Sequence, residues 1–422
     1  MMLGKALISL LIIVACLLQT DPGQAADPSL KESRIPAELD ASIALLLGAV
    51  GPRVQDSFDP EQIAPVLDFI VSDKDDSLLY YPGEIDSTTA AYYEFELAVT
   101  LERVLGYAYN SAIPPQALSP SSLRNADFLP EAAGQSTAWK WQLPVVDGNP
   151  QIVRLAEHEE ITPDLFTGAY YAYNVDRTLV LCKYQGRNVF LSLARQRGPS
   201  EVGRKGIALG SQADWDFLYS GQPGLTARGL GWVDSYMYKS FSITVFYETG
   251  ETGGQGSRLR CGVFKWLNAG WSGINMVQRQ HIHRGLERYA GDFKKTIENQ
   301  GLSASDRLAA DFAALGQLNE AELKDYLAEY LASLARQYSD SKALTGNLFG
   351  ELIHNGQYLN IMTRSQMLAI IELEYLKALL GKPCKMPRLV QDLPRLAGRV
   401  GPEGRSGQSV AQVKKGKTGS IF

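Results

Sequence analysis

Cysteine and histidine are scarce in this chain of 422 residues, which holds four of each. Their scarcity excludes several chemistries. No Cys-x-x-Cys pair occurs for zinc binding or redox exchange, and no Cys-x-x-Cys-His for covalent haem. Beyond Cys16 only Cys182, Cys261 and Cys384 remain, an odd set too small for a disulfide scaffold, so stability must come from ordinary packing. Cys182 and Cys261 lie in strand-like runs and would pair only if those strands were neighbours; two buried thiols are the alternative. Positive charge is also short. With 41 Lys or Arg against 46 Asp or Glu, the net charge of −5 speaks against nucleic acid as a partner, because duplex binding draws on cationic contacts to phosphate. No Walker loop, His-Glu-x-x-His, or Gly-x-Gly-x-x-Gly opening a helix is present, and no cofactor is expected. No run after the first residues approaches the ~20 apolar residues a transmembrane helix needs, so no span is expected in the mature chain.

What is present is a globular balance, 45% hydrophobic and 21% charged, enough for two or three packing units at roughly 100–200 residues each. Lys5, the apolar stretch Ala6 to Leu18, and Gly23-Gln24-Ala25 read as an export signal over residues 1–25, so the mature chain is expected to start near Ala26 in the periplasm or outside the cell. Ile13-Val14-Ala15-Cys16 resembles a lipobox, but Leu17 and Leu18 disfavour anchoring through Cys16.

Residues 26–86 carry two helical stripes, Leu39, Ile43, Leu46, Leu47 and Val50, then Ile63, Val66, Leu67 and Ile70. Period two follows at Tyr93, Phe95, Leu97 and Val99, after which Thr100 is placed to cap a short helix. Further strands are expected at 152–155, 170–173, 179–183, 189–193, 241–247 and 259–264, with Gln185-Gly186 as a tight hairpin turn. In the strand from Phe241 to Tyr247, Phe241, Ile243, Val245 and Tyr247 share one face; Ser242 and Thr244 mark the other as half-solvated. Val277, Ile282, Leu286, Tyr289, Phe293 and Ile297 then predict one long amphipathic helix. Asn319 with Glu322, and Thr363 with Gln366, open helices in a subdomain at 303–380. The tail 381–422 holds nine Lys or Arg, two acids and little apolar area, and is expected to be disordered.

Few motifs carry chemistry. His281 and His283, two apart on a helix, point about 200° from each other and cannot chelate together. His283 shares a face with Glu287, an ion pair unless Glu157, His158 or Glu159 completes a metal set. Gly270-Trp271-Ser272-Gly273 lacks the spacing of a nucleophile elbow. Ser339-Asp340-Ser341-Lys342 and Lys417-Thr418-Gly419 imitate penicillin-binding motifs by chance, and Asp214, Asp216 and Asp234, which could serve acid-base work, show no pairing geometry and are expected to be solvated at the surface. The glycine-rich stretch from Gln196 to Asp234 is too long for a plain loop, and Trp215, Phe217, Leu218, Tyr219 and Trp232 give it sticky area, so it is expected to form an ordered cover.

The order from Tyr92 to Ile297, strand, short helix, a series of antiparallel strands and one long helix, resembles the helix-grip fold of START-like lipid-binding domains. Val263-Phe264-Lys265-Trp266, leading through Gly270-Trp271 into the helix from Met276, is similar to the final strand and helix entry of that superfamily. The resemblance implies an α+β domain at 87–302 whose antiparallel sheet wraps the helix around an apolar cavity, with a hydrophobic small molecule or lipid as partner. Phe95, Ile243, Val245, Leu286 and Phe293 are then expected to line the pocket, with Trp215 and Trp232 in the cover. A hydrolase or lyase using His158, His283 and nearby carboxylates is one alternative. A non-catalytic role beside an envelope protein partner is the other.

Overall fold

The computed structural model describes residues 30–51, 58–129, 139–143, 145, 149–164, 167–227, 231–250, 257–341, 344, 349–350, 353 and 357–397. The expected signal segment with Cys16, residues 251–256, His354 and the chain beyond 397 lie outside them. The architecture is mixed α+β, a large antiparallel sheet with helices against both faces and along one edge. A parallel pair, β1 (Lys31–Arg34) and β2 (Leu78–Tyr81), precedes it. Eight strands form the large sheet: β3 (Thr89–Leu97), β4 (Leu123–Phe128), β5 (Gln151–Ile161), β7 (Ala172–Tyr184), β8 (Arg187–Gln196), β13 (Ser235–Glu248), β14 (Leu259–Trp271) and β15 (Ile274–Asn275). They run in the order β15-β14-β13-β8-β7-β5-β4, and β3 pairs with the first part of β14.

Local chemistry sets the turns. Gln185 and Gly186 both adopt positive φ, 48° and 76°, the two-residue turn that matches strand twist between β7 and β8. Gly270-Trp271-Ser272-Gly273 resolves into a second such hairpin, with Ser272 at 54° and Gly273 at 77°.

Alternation puts Ile243, Val245, Leu191, Leu193, Val180, Phe264 and Trp266 on one face of the sheet. Helices α1 (Leu39–Gly48) and α2 (Ala64–Val71) cover that face with Leu46, Leu47, Val66, Leu67 and Ile70. Burying each such side chain contributes about 1.5–3 kcal/mol, so this layer is a solid core. Close approach depends on Gly262, where a Cβ would meet Ile70 Cγ1 at 2.7 Å.

The opposite face meets α3 (Leu101–Ala108), which Thr100 caps by accepting from Arg103 N–H, and α4 (Arg279–Ile297), which lies along β3 and β14. Phe190, Phe246 and Phe293 cluster where these elements converge. Phe246 therefore interrupts the polar side of β13 because that end of the strand is buried beneath α4.

Helices α5 (Ser305–Leu315), α6 (Glu320–Gln337), α7 (Arg364–Leu379) and α8 (Pro387–Ala397) follow. Asn319 with Glu322, and Thr363 with Gln366, form the expected reciprocal caps. The tail is not disordered from 381: α8 buries Leu389, Leu393 and Leu396, spaced four and three apart. The glycine-rich stretch forms strands. β9 (Arg204–Leu209) and β10 (Asp216–Pro223) join β6 (Ala169–Tyr170) in a small sheet, and β11 (Leu225–Ala227) pairs with β12 (Gly231–Val233).

Candidate functional site

The inward face of the sheet does not pack solidly. Between it, the segment after α3, and α4 lies a hollow of ≈ 190 Å³. An engineered apolar cavity of about 150 Å³ accepts benzene, so there is room for a single-ring molecule. Tyr109, Phe128, Trp139, Tyr289 and Phe293 form an aromatic wall. The sheet side is polar, with Glu157 and Glu159 from β5, Arg177 from β7, Ser192 from β8, Ser240, Ser242 and Thr244 from β13, and Lys265 from β14. These residues alternate with the buried apolar set under α1 and α2, which is why one sheet has two unlike interiors.

Arg177 organises the β5 side. Its Nε donates to Glu157 Oε2 at 2.6 Å, Nη2 to Glu159 Oε1 at 2.5 Å, and Nη1 to Ser192 Oγ at 3.1 Å. Burial pushes the Glu157 carboxyl above its usual range, against the pull of Arg177. Burial also opposes the Arg177 charge, but the two carboxylates outweigh it and hold the guanidinium ionised.

Lys265 has a different environment. Its Nζ donates to Ser240 Oγ at 2.9 Å, and no ion pair holds it among the described residues. Burial pulls its pKa down to about 8, with Glu159 opposing and Arg177 adding to the fall. Ser240 also hydrogen-bonds the Tyr173 hydroxyl, whose pKa burial raises. Ser242 stands directly opposite Lys265 across β13 and β14, and Thr244 is two residues further along the same face. Tyr109 is pushed up to about 12 by burial, so it stays a neutral phenol. The hollow thus offers an ammonium, hydroxyl donors and an aromatic surface.

Of the residues expected to line a pocket, Phe293 does so. Phe95 stands behind it, edge-on to Phe293 and Tyr289 with ring centroids 6.4 and 6.5 Å apart. Ile243 and Val245 are a correction: they turn to the opposite face and pack beneath α1 and α2. Leu286 packs with Leu79, Ala91, Val263 and Ile282, away from the hollow. Trp215 is not in a cover. It is buried among the C-terminal helices with Lys382 Nζ 4.1 Å from its ring centre, because β9 and β10 anchor their segment there. Trp232 pairs with Thr226 through β11 and β12, and its side chain lies outside the described residues.

Among the described residues the histidines do not converge. His158 alternates with Glu157 and Glu159 along β5 and binds Asn174 Oδ1 through Nδ1 at 2.8 Å. His283 packs edge-on to Tyr93 on the α4 side, 5.3 Å between centroids, and burial lowers its pKa against the charge of Glu287. Among the described residues no group of three or more His, Cys, Asp or Glu is placed to hold a metal ion. Cys182 and Cys261 sit in the cores on opposite faces of the sheet, both as free thiols.

The residues of the polar wall were visible only as polar positions within strands. Glu157-x-Glu159 and Ser240-x-Ser242-x-Thr244 repeat at period two, a pattern that also describes a solvated face. What distinguishes them is that the layer above is occupied by α3, α4, residues between Tyr109 and Phe128, and Trp139.

A second group of buried charges is self-contained. Lys377 Nζ donates to Asp216 Oδ1 and Glu374 Oε1, both at 2.6 Å, and Lys385 Nζ to Asp216 Oδ2 at 2.5 Å. Tyr338 completes the Asp216 shell at 2.7 Å. Burial would raise the Asp216 carboxyl, but these donors hold it below its ordinary range. Two carboxylates and two ammoniums cancel, and they tie β10 to α7 and to the segment before α8. Expected surface solvation of Asp216 is therefore corrected.

No family model and no curated protein matches this chain. A solved structure of an uncharacterised protein from Rhizobium leguminosarum is similar over 50% of this chain and 99% of its own, at 14% identity and a TM-score of 0.18. That likeness is too slight to support any conclusion. Among the described residues no helix is long and apolar enough to cross a membrane.

Proposed function

We propose that this protein is an exported binding or carrier protein, and that it holds a small hydrophobic or lipid-like molecule with a polar end in the hollow between the sheet and α4. The observation that carries this function is the hollow itself: the face under α1 and α2 is solidly filled, whereas the face under α4 leaves ≈ 190 Å³ between an aromatic wall and a polar one. Binding pockets join apolar lining with a few convergent polar groups in this way. The size favours a ring or a short chain over an entire membrane lipid. In this proposal the sheet and α4 work as a container on the helix-grip plan of START-like domains, and the apolar segment Ala6 to Leu18 directs export.

Native mass spectrometry of the protein purified from its own envelope, followed by solvent extraction, tests the proposal. A co-purifying small molecule released on unfolding is the expected result. A bare polypeptide mass, together with no uptake of a neutral single-ring molecule such as toluene, overturns it.

A further inference from the structure

The charges around the hollow are not equally satisfied, and their imbalance indicates what the ligand carries. Glu157 and Glu159 are both held by Arg177, which ties their carboxylates in place and offsets one of their two charges. Lys265 makes one hydrogen bond among the described residues, to a neutral hydroxyl. Ser242 faces it across the strand pair and Thr244 follows. Half-buried because they border empty volume, these hydroxyls project donors to the same place as the ammonium.

From this geometry we infer that Lys265, Ser242 and Thr244 seat the carboxylate of a small organic monoanion, and that Tyr289 and Phe293 flank its apolar body. The inference deepens the proposed function and rests on it. A hydrogen-bonded charge pair across about 3 Å in a site shielded from water is a strong anchor, and two hydroxyls fill two more of the carboxylate's roughly four acceptor positions. A single charge is favoured because the Arg177 clamp leaves a surplus negative charge nearby, which would repel a dianion. The lowered pKa of Lys265 agrees: were that surplus enough to compensate the ammonium, its pKa would not fall. Seating an anion should therefore draw a proton onto Lys265. The other titratable groups facing this space are Glu157, Glu159, Tyr173, Arg177, Tyr109 and Tyr289. The three phenols have raised pKa values and stay neutral up to about pH 10, leaving Lys265 to set the alkaline limit.

Calorimetric titration of the full-length mature protein with 3-phenylpropionate, its neutral amide and phenyl phosphate tests this. At pH 6.5 the acid should bind at least ten-fold more tightly than the amide, and the preference should vanish by pH 9.5. Lys265→Met should abolish the preference while keeping affinity for the amide, and Ser242→Ala should weaken the acid several-fold. The wild-type ratio of acid to amide needs no variant, so a misfolded Lys265→Met leaves the inference exposed. Equal binding of acid and amide overturns it and leaves the binding function standing, as does binding of neutral toluene without binding of the acid. Tighter binding of phenyl phosphate than of the acid overturns the carboxylate assignment. Failure of all three ligands and of toluene overturns both.

Discussion

Glu372 on α7 should make this protein lose stability as the pH rises from acid to alkaline. Its carboxyl is 4% exposed and accepts one hydrogen bond, from Gln116 Nε2 at 3.0 Å. Burial pushes its pKa from 4.5 to about 8, Gln116 opposes the rise, and the charge of Asp127 adds to it. The folded state therefore holds a proton that the unfolded state releases above about pH 4.5. Stability that depends on this proton is fully present below pH 4.5 and is lost as pH climbs toward 8. Each unit of separation is worth about 1.4 kcal/mol, so the loss is roughly 3.4 kcal/mol at neutral pH and on the order of 5 kcal/mol above pH 8. Glu372→Gln removes the titration and preserves the shape. Its amide can also donate to Gln116 Oε1, a buried acceptor without a partner. Urea unfolding at pH 5, 7 and 9 should show the variant gaining on the wild type by several kcal/mol across that range. A difference between the two that does not change with pH would refute the reasoning.

Two further outcomes are expected. Arg177→Met leaves Glu157 and Glu159 buried without their cation and should cost about 3–5 kcal/mol by the same unfolding assay, because an unpaired buried charge is far costlier than a surface one; a loss under 1 kcal/mol would mean that the pair is solvated. Cys182 and Cys261, raised by burial and held on opposite faces, should not react with a thiol reagent until the protein is denatured, and intact mass under oxidising conditions should show no bond between them.

Features decided by near neighbours were legible in the sequence. Thr100, the Asn319–Glu322 and Thr363–Gln366 boxes, and the Gln185-Gly186 turn depend on residues at most three apart, and each forms as the spacing predicts. Alternation on β13 was legible too, but period two does not say which face meets which layer. Ile243 and Val245 went to the solid core, while Ser242 and Thr244 kept an interior rather than a solvent address, because both faces are covered by helices far away in the chain. Trp215 was misplaced for a similar reason: its segment is drawn to the C-terminal helices by β6 and by the ion cluster around Asp216, partners at positions 169–170, 377 and 385 that no local pattern announces. In the tail, a composition taken across 381–422 concealed the stripe Leu389, Leu393 and Leu396. Lys265 looked like one polar residue in the final strand, and its meaning comes only from the lack, among the described residues, of an ion pair to its ammonium.

Filling the hollow gives the sharpest test of whether binding takes place there. Ala194 borders it in register with Arg177 and Ser242, so Ala194→Phe puts a ring into the empty volume without touching the α1–α2 core. Calorimetric titration with toluene, read beside the melting temperature, should show uptake by the wild type and none by a variant that melts at the same or higher temperature. Equal uptake by both proteins would place binding elsewhere and contradict the account.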